Sequence, residues 1–112
     1  MIRHDPSAVP APVGGYSQAL ELEGAQRLLL VSGQIPEAAG SGVPEGFEAQ
    51  CRQAWRNVFA VLGSAGMDAG DLVKVTTYLT DRAQADAKGR IRREMLPPAT
   101  RPALTVIVAQ TL

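Results

Sequence analysis

The sequence has little of what disulfide, metal and nucleic-acid chemistry require. It contains one cysteine, Cys51, and one histidine, His4, which excludes an internal disulfide and a cysteine-based metal cluster. We therefore predict no protein-built zinc or haem site. Lysine and arginine number 11 against 11 aspartate and glutamate, and the formal net charge is zero. Because no overall positive field attracts a polyanion, nucleic acid is not a predicted partner.

Long apolar runs and aromatic residues are also scarce. No basic N-terminal region precedes an apolar stretch, and no run approaches the roughly 18 residues that suggest a membrane span. The sequence therefore predicts a cytoplasmic protein with no membrane partner. Two phenylalanines, two tyrosines and one tryptophan leave the core to aliphatic residues. The length predicts one domain over residues 1–112, and so small a core favours a homo-oligomer.

Apolar residues recur every three or four positions from Phe47 to Ala65, which predicts an amphipathic helix. Gly66 is well placed to end it. Cys51 falls on the apolar side of this helix, and we interpret it as a core residue because His4 is the only histidine that could activate a thiol.

A second, weaker helix is predicted over about residues 82–96, with Asp81 in the position of an N-cap and Gln84 completing a pattern like a capping box. Gly89 interrupts its apolar side. We interpret its cationic residues as a solvated face, with phosphate or nucleic-acid binding as the less favoured alternative. These residues are Lys88, Arg90, Arg92 and Arg93.

Four segments carry strand signals. Residues 16–23 and 27–32 flank Gly24-Ala25 and predict a β-hairpin whose second strand is buried on both faces. Residues 72–80 alternate with β-branched residues, and an apolar run follows at 103–109. The predicted order is β-β-α-β-α-β, an α+β fold with both helices packed on one face of a mixed β-sheet. A neighbouring subunit would cover the other face, and a cleft between subunits is a natural ligand site.

Arg101 lies in a proline-rich turn, Pro97-Pro98-Ala99-Thr100-Arg101-Pro102. Prolines fix φ and favour extended geometry in the preceding residue, so the guanidinium leaves a stiff segment. Its planar fork matches a carboxylate or a phosphate. From these residues alone, capture of a small anion and a salt bridge to a neighbouring acid remain equally open.

Several separated segments together resemble the YjgF/RidA family, whose members also carry the older names L-PSP endoribonuclease and translation inhibitor. The resemblance covers residues 9–112. The segments are Gly14-Gly15-Tyr16-Ser17-Gln18, residues 30–36, residues 50–57 with Leu62, Ala65-Gly66 and Lys74, and Ala99-Thr100-Arg101-Pro102-Ala103. The resemblance implies a chorismate-mutase-like fold that assembles as a barrel-cored homotrimer with ligand sites between subunits.

The activity implied by this resemblance is hydrolysis of reactive imines and enamines, such as 2-iminopropanoate and 2-iminobutanoate, to 2-keto acids and ammonia. It implies no cofactor and no metal. Arg101 would hold the substrate carboxylate, Tyr16 would pack against the substrate and offer a hydroxyl, and Ser32 and the backbone at Gly33 would orient substrate or water. Taken singly, Tyr16 could equally start a strand, Ser32 bond to backbone and Gly33 form a turn.

Members of the family usually continue into a final strand with an acidic pair, one of whose carboxylates is thought to help activate water. This sequence ends at Leu112, so the resemblance implies either a truncated chain or a member whose domain lacks that strand. Asp81 and Glu94 are available carboxylates, but no spacing places either in the cleft. The alternative to a deaminase is a non-catalytic trimer that binds small carboxylates as a regulator. A ribonuclease ranks last because the net charge is zero.

Overall fold

The computed structural model describes residues 1–111, and within them the chain forms two helices and four strands. The predicted end of the domain at Leu112 lies outside these residues. In chain order the elements are β1 (Ile2–His4), β2 (Ala19–Glu21), α1 (Phe47–Ser64), β3 (Lys74–Leu79), α2 (Ala85–Met95) and β4 (Ala103–Val108). This order confirms the predicted α+β class.

Helix α1 follows the apolar periodicity of its sequence, with Trp55 and Leu62 on its buried side. It ends as predicted, since Gly66 adopts φ +70° and donates its N–H to Gly63 O at 3.0 Å. Met67 N–H donates to Leu62 O at 2.9 Å. These two bonds are the pair that defines a Schellman motif. Within residues 1–111 no helix combines the length and apolar character that crossing a membrane requires.

Strands β3 and β4 pair in parallel, from Lys74 opposite Ala103 to Leu79 opposite Val108. Helix α2 makes the crossover between them, as parallel strands require a long connection. Before α2, the Asp81 carboxylate accepts the N–H of Ala83 at 2.9 Å and caps a 3-10 turn over Arg82–Gln84. The strand–helix–strand unit therefore brings the chain to Arg101 immediately before β4.

The core lies between the two helices and the β3–β4 sheet. Ile91 is fully buried, and Trp55 and Leu96 pack with it in one cluster. The ring centroids of Trp55 and Phe59 are 5.8 Å apart. On the outer edge of the helix pair, Arg52 makes a bidentate bond to Glu94, with atom pairs at 2.7 and 3.2 Å. The exposed pair helps to align the helices, while the apolar cluster supplies most of the stabilisation.

The predicted N-terminal hairpin is wrong in its pairing. Strand β2 pairs antiparallel with β1 at the chain terminus, with Ile2 opposite Glu21, and residues 27–32 form no strand. Leu28 and Leu30 are 69% and 86% exposed rather than buried. A strand apolar on both faces needs layers on both sides, and these residues have no such cover in the single chain. The described strands thus form two two-stranded sheets instead of one mixed sheet.

Candidate functional site

The backbone on either side of Arg101 is held by the N-terminal part of the chain. Ser17 is 1% exposed, and its Oγ donates to the carbonyl oxygen of Arg101 at 2.7 Å. Ser17 N–H donates to Pro102 O at 3.2 Å, and Ser17 forms a parallel bridge with Ala103. Thr100 N–H closes the turn by donating to Pro97 O at 2.9 Å. The turn predicted to be stiff is therefore also bonded across the fold.

The Arg101 side chain itself is exposed and forms no ion pair with another residue of 1–111. The salt-bridge alternative is therefore not realised in the described part of the chain. Arg101 instead lines a cleft of about 330 Å³, which is large enough for a small organic acid. We call it the arginine cleft; its polar lining comprises Gly14, Gly15, Arg92, Arg93, Thr100 and Arg101.

Gly14 allows the backbone to approach two guanidinium groups in this cleft. Its φ is +96°, a conformation that side chains disfavour. A Cβ built at this position would lie 3.2 Å from Arg92 Nη2 and 3.4 Å from Arg93 Nη1. The positive φ therefore favours glycine here, and a side chain would in addition press on the guanidinium of Arg92.

Arg92 is the buried cation of the cleft. It is 6% exposed and forms no ion pair within residues 1–111. Burial lowers the pKa of its guanidinium, and the charge of Arg93 lowers it further, while Tyr16 opposes the change. An arginine nevertheless stays charged at neutral pH. The cleft therefore holds a permanent positive charge that the described part of the chain leaves uncompensated.

Tyr16 is half-buried and lines an adjoining cleft of about 450 Å³ together with Gln18 and Lys88. Arg92 and Arg93 line both clefts, so Tyr16 and Arg101 open onto neighbouring parts of one cationic surface. Burial lowers the pKa of Lys88, and the nearby Arg92 lowers it further. The structure thus brings two of the predicted site residues to the same side of the molecule.

Ser32 and Gly33 lie outside both clefts. Both are exposed on an irregular segment and line neither cleft of the single chain. The segment beyond them is tied to helix α1, because Asn57 Nδ2 donates to Ile35 O at 2.9 Å and to Glu37 O at 3.0 Å. The substrate-binding roles of Ser32 and Gly33 remain predictions.

The two carboxylates considered from the sequence are engaged outside the cleft. Glu94 binds Arg52 on the outer edge of the helix pair, and that hydrogen bond lowers its pKa. Asp81 caps the turn before α2. Cys51 packs against the core, where burial raises the pKa of its thiol, as expected for an unreactive cysteine. Among the described residues, no three metal-ligating side chains come together.

Sequence reasoning missed Arg92 and Gly14 as site residues. The prediction that the cations of α2 form a solvated face holds for Arg90, which is exposed and pairs with Glu48 at 3.1 Å. It is wrong for Arg92, which is buried. The sequence carried no signal for Arg92, because its burial depends on the distant segment at Gly14 that packs against it.

Residues 6–112 match the family model described as endoribonuclease L-PSP. The chain therefore belongs to this family, and the resemblance to the YjgF/RidA proteins is confirmed.

Relatives with assigned names agree with this membership. A RutC family protein of Aquifex aeolicus is 47% identical over 73 residues, which cover 64% of this chain and 56% of that protein. The 2-iminobutanoate/2-iminopropanoate deaminase of Escherichia coli K12 is 40% identical over 73 residues, covering 64% and 55% respectively. The match thus spans about half the length of these relatives.

Solved structures show the same fold over nearly the whole chain. A protein of the Rid family from Yersinia pestis, YyfB, superposes with a TM-score of 0.88 at 27% identity, covering 99% of this chain and 86% of that one. Escherichia coli TdcF, solved with bound serine, gives a TM-score of 0.74 at 25% identity, covering 100% and 88%. The Rid fold is therefore that of this chain.

Proposed function

We propose that this protein hydrolyses small reactive imines and enamines, of the 2-iminopropanoate and 2-iminobutanoate type, to 2-keto acids and ammonia. The observation that carries the proposal is Arg101, whose backbone is bonded to Ser17 and which lines a cleft that contains no acidic residue. The 40% identity to the Escherichia coli deaminase supports the reaction class, and the serine bound to TdcF supports a small ligand.

In the proposed reaction the guanidinium of Arg101 holds the substrate carboxylate through two charge-assisted hydrogen bonds. This places the adjacent imine carbon at the wall of the cleft. Water adds to that carbon, and the resulting carbinolamine expels ammonia as the C=O bond forms. Because a protonated imine is already electrophilic, fixing it beside one water molecule replaces a bimolecular encounter and supplies much of the acceleration.

Tyr16 is proposed to pack against the substrate and present its hydroxyl from the adjoining cleft. Ser32 and Gly33 line neither cleft of the single chain, so we assign them to the site of a neighbouring subunit, where they would orient substrate or water. Such a site lies between subunits and exists only in the oligomer.

A homotrimer is the proposed assembly. Tyr78 and Ile107 are partners in the parallel ladder and share a face of the β3–β4 sheet, where they are 55% and 39% exposed. Leu28 and Leu30 add further exposed apolar surface. Apolar surface of this extent is typical of subunit contacts, and the closed symmetry of a trimer would bury it.

The test generates 2-iminopropanoate in situ from alanine with an amino-acid oxidase and follows its disappearance by trapping with semicarbazide. The protein should accelerate hydrolysis over buffer. Arg101→Ala should lower kcat/KM by about 10- to 100-fold, as expected for loss of a hydrogen-bonded charge pair. Arg82→Ala is the matched control, because Arg82 is exposed and lines neither cleft. A folded oligomer that gives no acceleration would refute the proposal.

A non-catalytic trimer that binds small carboxylates is the second candidate. It is favoured by one observation, that no carboxylate of residues 1–111 lines either cleft to activate water. Thermal stabilisation by 2-ketobutyrate, with no acceleration of imine hydrolysis, would select this function over the deaminase.

A further inference from the structure

The arginine cleft carries more positive charge than one carboxylate requires. Three guanidinium groups line it, those of Arg92, Arg93 and Arg101, and Lys88 lies in the adjoining cleft. One arginine suffices to pair one carboxylate bidentately. The cations of Arg92 and Arg93 therefore remain available in the same cleft.

The positions of the acidic residues show that this excess is local. The cations on the outer edge of the helix pair are compensated, Arg52 by Glu94 at 2.7 Å and Arg90 by Glu48 at 3.1 Å. None of the residues lining the arginine cleft is acidic. Helix α2 thus has a neutralised edge and, on the side of the cleft, an uncompensated one.

Arg92 gives the cleft a cation that is held in a fixed place and has no acidic partner among the described residues. The residue as a whole is 6% exposed, and within residues 1–111 its guanidinium forms neither an ion pair nor a hydrogen bond to an acceptor side chain. No buried side-chain nitrogen of the described residues lacks a hydrogen-bond partner, so the unbonded guanidinium nitrogens of Arg92 stay open to the cleft, where an anion would pair with them. Gly14, whose missing side chain leaves room beside Arg92 and Arg93, keeps the two groups close to the backbone.

We propose that the arginine cleft binds a small dianion, and that the substrate is the imine of a dicarboxylic amino acid. Arg101 holds the carboxylate next to the imine carbon, and Arg92 and Arg93 hold the second carboxylate. Water still adds to the imine carbon and ammonia still leaves, so the second carboxylate takes no part in bond making. The assignment of the imine rests on the proposed function, whereas the preference for a dianion does not.

Binding of stable keto acids to the assembled protein tests this preference at constant ionic strength. Calorimetry should give at least about tenfold tighter binding of 2-ketoglutarate or oxaloacetate than of pyruvate, the factor that 1.4 kcal/mol represents. Arg93→Gln should reduce this ratio towards one, because it weakens the binding of the dicarboxylates more than that of pyruvate. Arg92→Gln should also reduce the ratio. If this variant at a buried position fails to fold, Arg93→Gln still tests the inference, because Arg93 is exposed.

Two controls complete the design. Arg82→Gln removes an exposed cation outside both clefts and should preserve the ratio, which corrects for a general effect of net charge. Phosphoglycolate is compared with malonate, since a second anionic group could also be a phosphate. Tighter binding of phosphoglycolate would overturn the dicarboxylate assignment.

Equal affinity for 2-ketoglutarate and pyruvate, or an unchanged ratio in Arg93→Gln, would overturn the inference. The outcome is separable from that of the deaminase assay. A dianion preference without any imine hydrolysis would uphold this inference and refute the proposed function. Hydrolysis of 2-iminopropanoate without a dianion preference would uphold the proposed function and refute this inference.

Discussion

At the scale of single residues, Ser17 supports the candidate site without facing it. Its hydroxyl is buried and donates to the carbonyl oxygen of Arg101 at 2.7 Å. Ser17→Ala leaves that acceptor without its partner and should reduce the free energy of unfolding by about 1–3 kcal/mol. Denaturant titration measures this. Ser64→Ala is the comparison, because Ser64 bonds to Val61 O at an exposed helix end and should cost less. Equal losses in the free energy of unfolding would show that the Ser17 hydrogen bond stabilises the fold no more than an exposed one.

The prolines beside Arg101 predicted a stiff turn, and the resemblance to the family then predicted its role as a site residue. The sequence did not predict the role of Ser17, whose partner lies 84 positions away. Arg92 was missed for a related reason, since the burial of a charged residue depends on which segment folds over it. Here that segment is the turn at Gly14, which no helical periodicity of α2 could reveal.

At the scale of elements, the end of α1 gives two glycines with opposite expected effects. Gly66 has φ +70°, so Gly66→Ala forces a side chain into the left-handed region and should destabilise by about 1 kcal/mol. Gly63 lies within α1 with open space around it, and Gly63→Ala should stabilise by up to about 1 kcal/mol through helix propensity. Urea titration of both variants should give shifts of opposite sign. Two shifts of the same sign would contradict this account.

The helices and the β3–β4 strands could be predicted because their patterns are local. The run at 47–64 repeats every three to four residues, and that at 74–79 alternates. The N-terminal pairing could not be predicted in the same way. Residues 27–32 are apolar enough for a buried strand, but burial requires layers that a single chain does not place there, so β2 pairs with the terminal residues 2–4 instead.

At the scale of the whole molecule, the exposed apolar face of β4 offers a test of assembly. Ile107→Asp places a charge on this face and should convert the proposed trimer to monomers, because burying an unpaired carboxylate in a subunit contact is costly. Light scattering after gel filtration measures the mass. Val43→Asp alters an equally apolar residue in an exposed loop and should leave the mass unchanged. An unaltered mass for the Ile107 variant would exclude this face from the interface.

The bond between Ser17 and Arg101 has a consequence for biosynthesis. It joins residues 84 positions apart, and contacts of such separation form only after a long loop has closed. On a growing chain, Arg101 emerges from the ribosome after both helices and β3, and only then can it meet the serine that was synthesised near the start. A nascent chain that already carries the N-terminal part of the cleft therefore lacks the guanidinium proposed to hold the carboxylate until both helices and β3 have been synthesised.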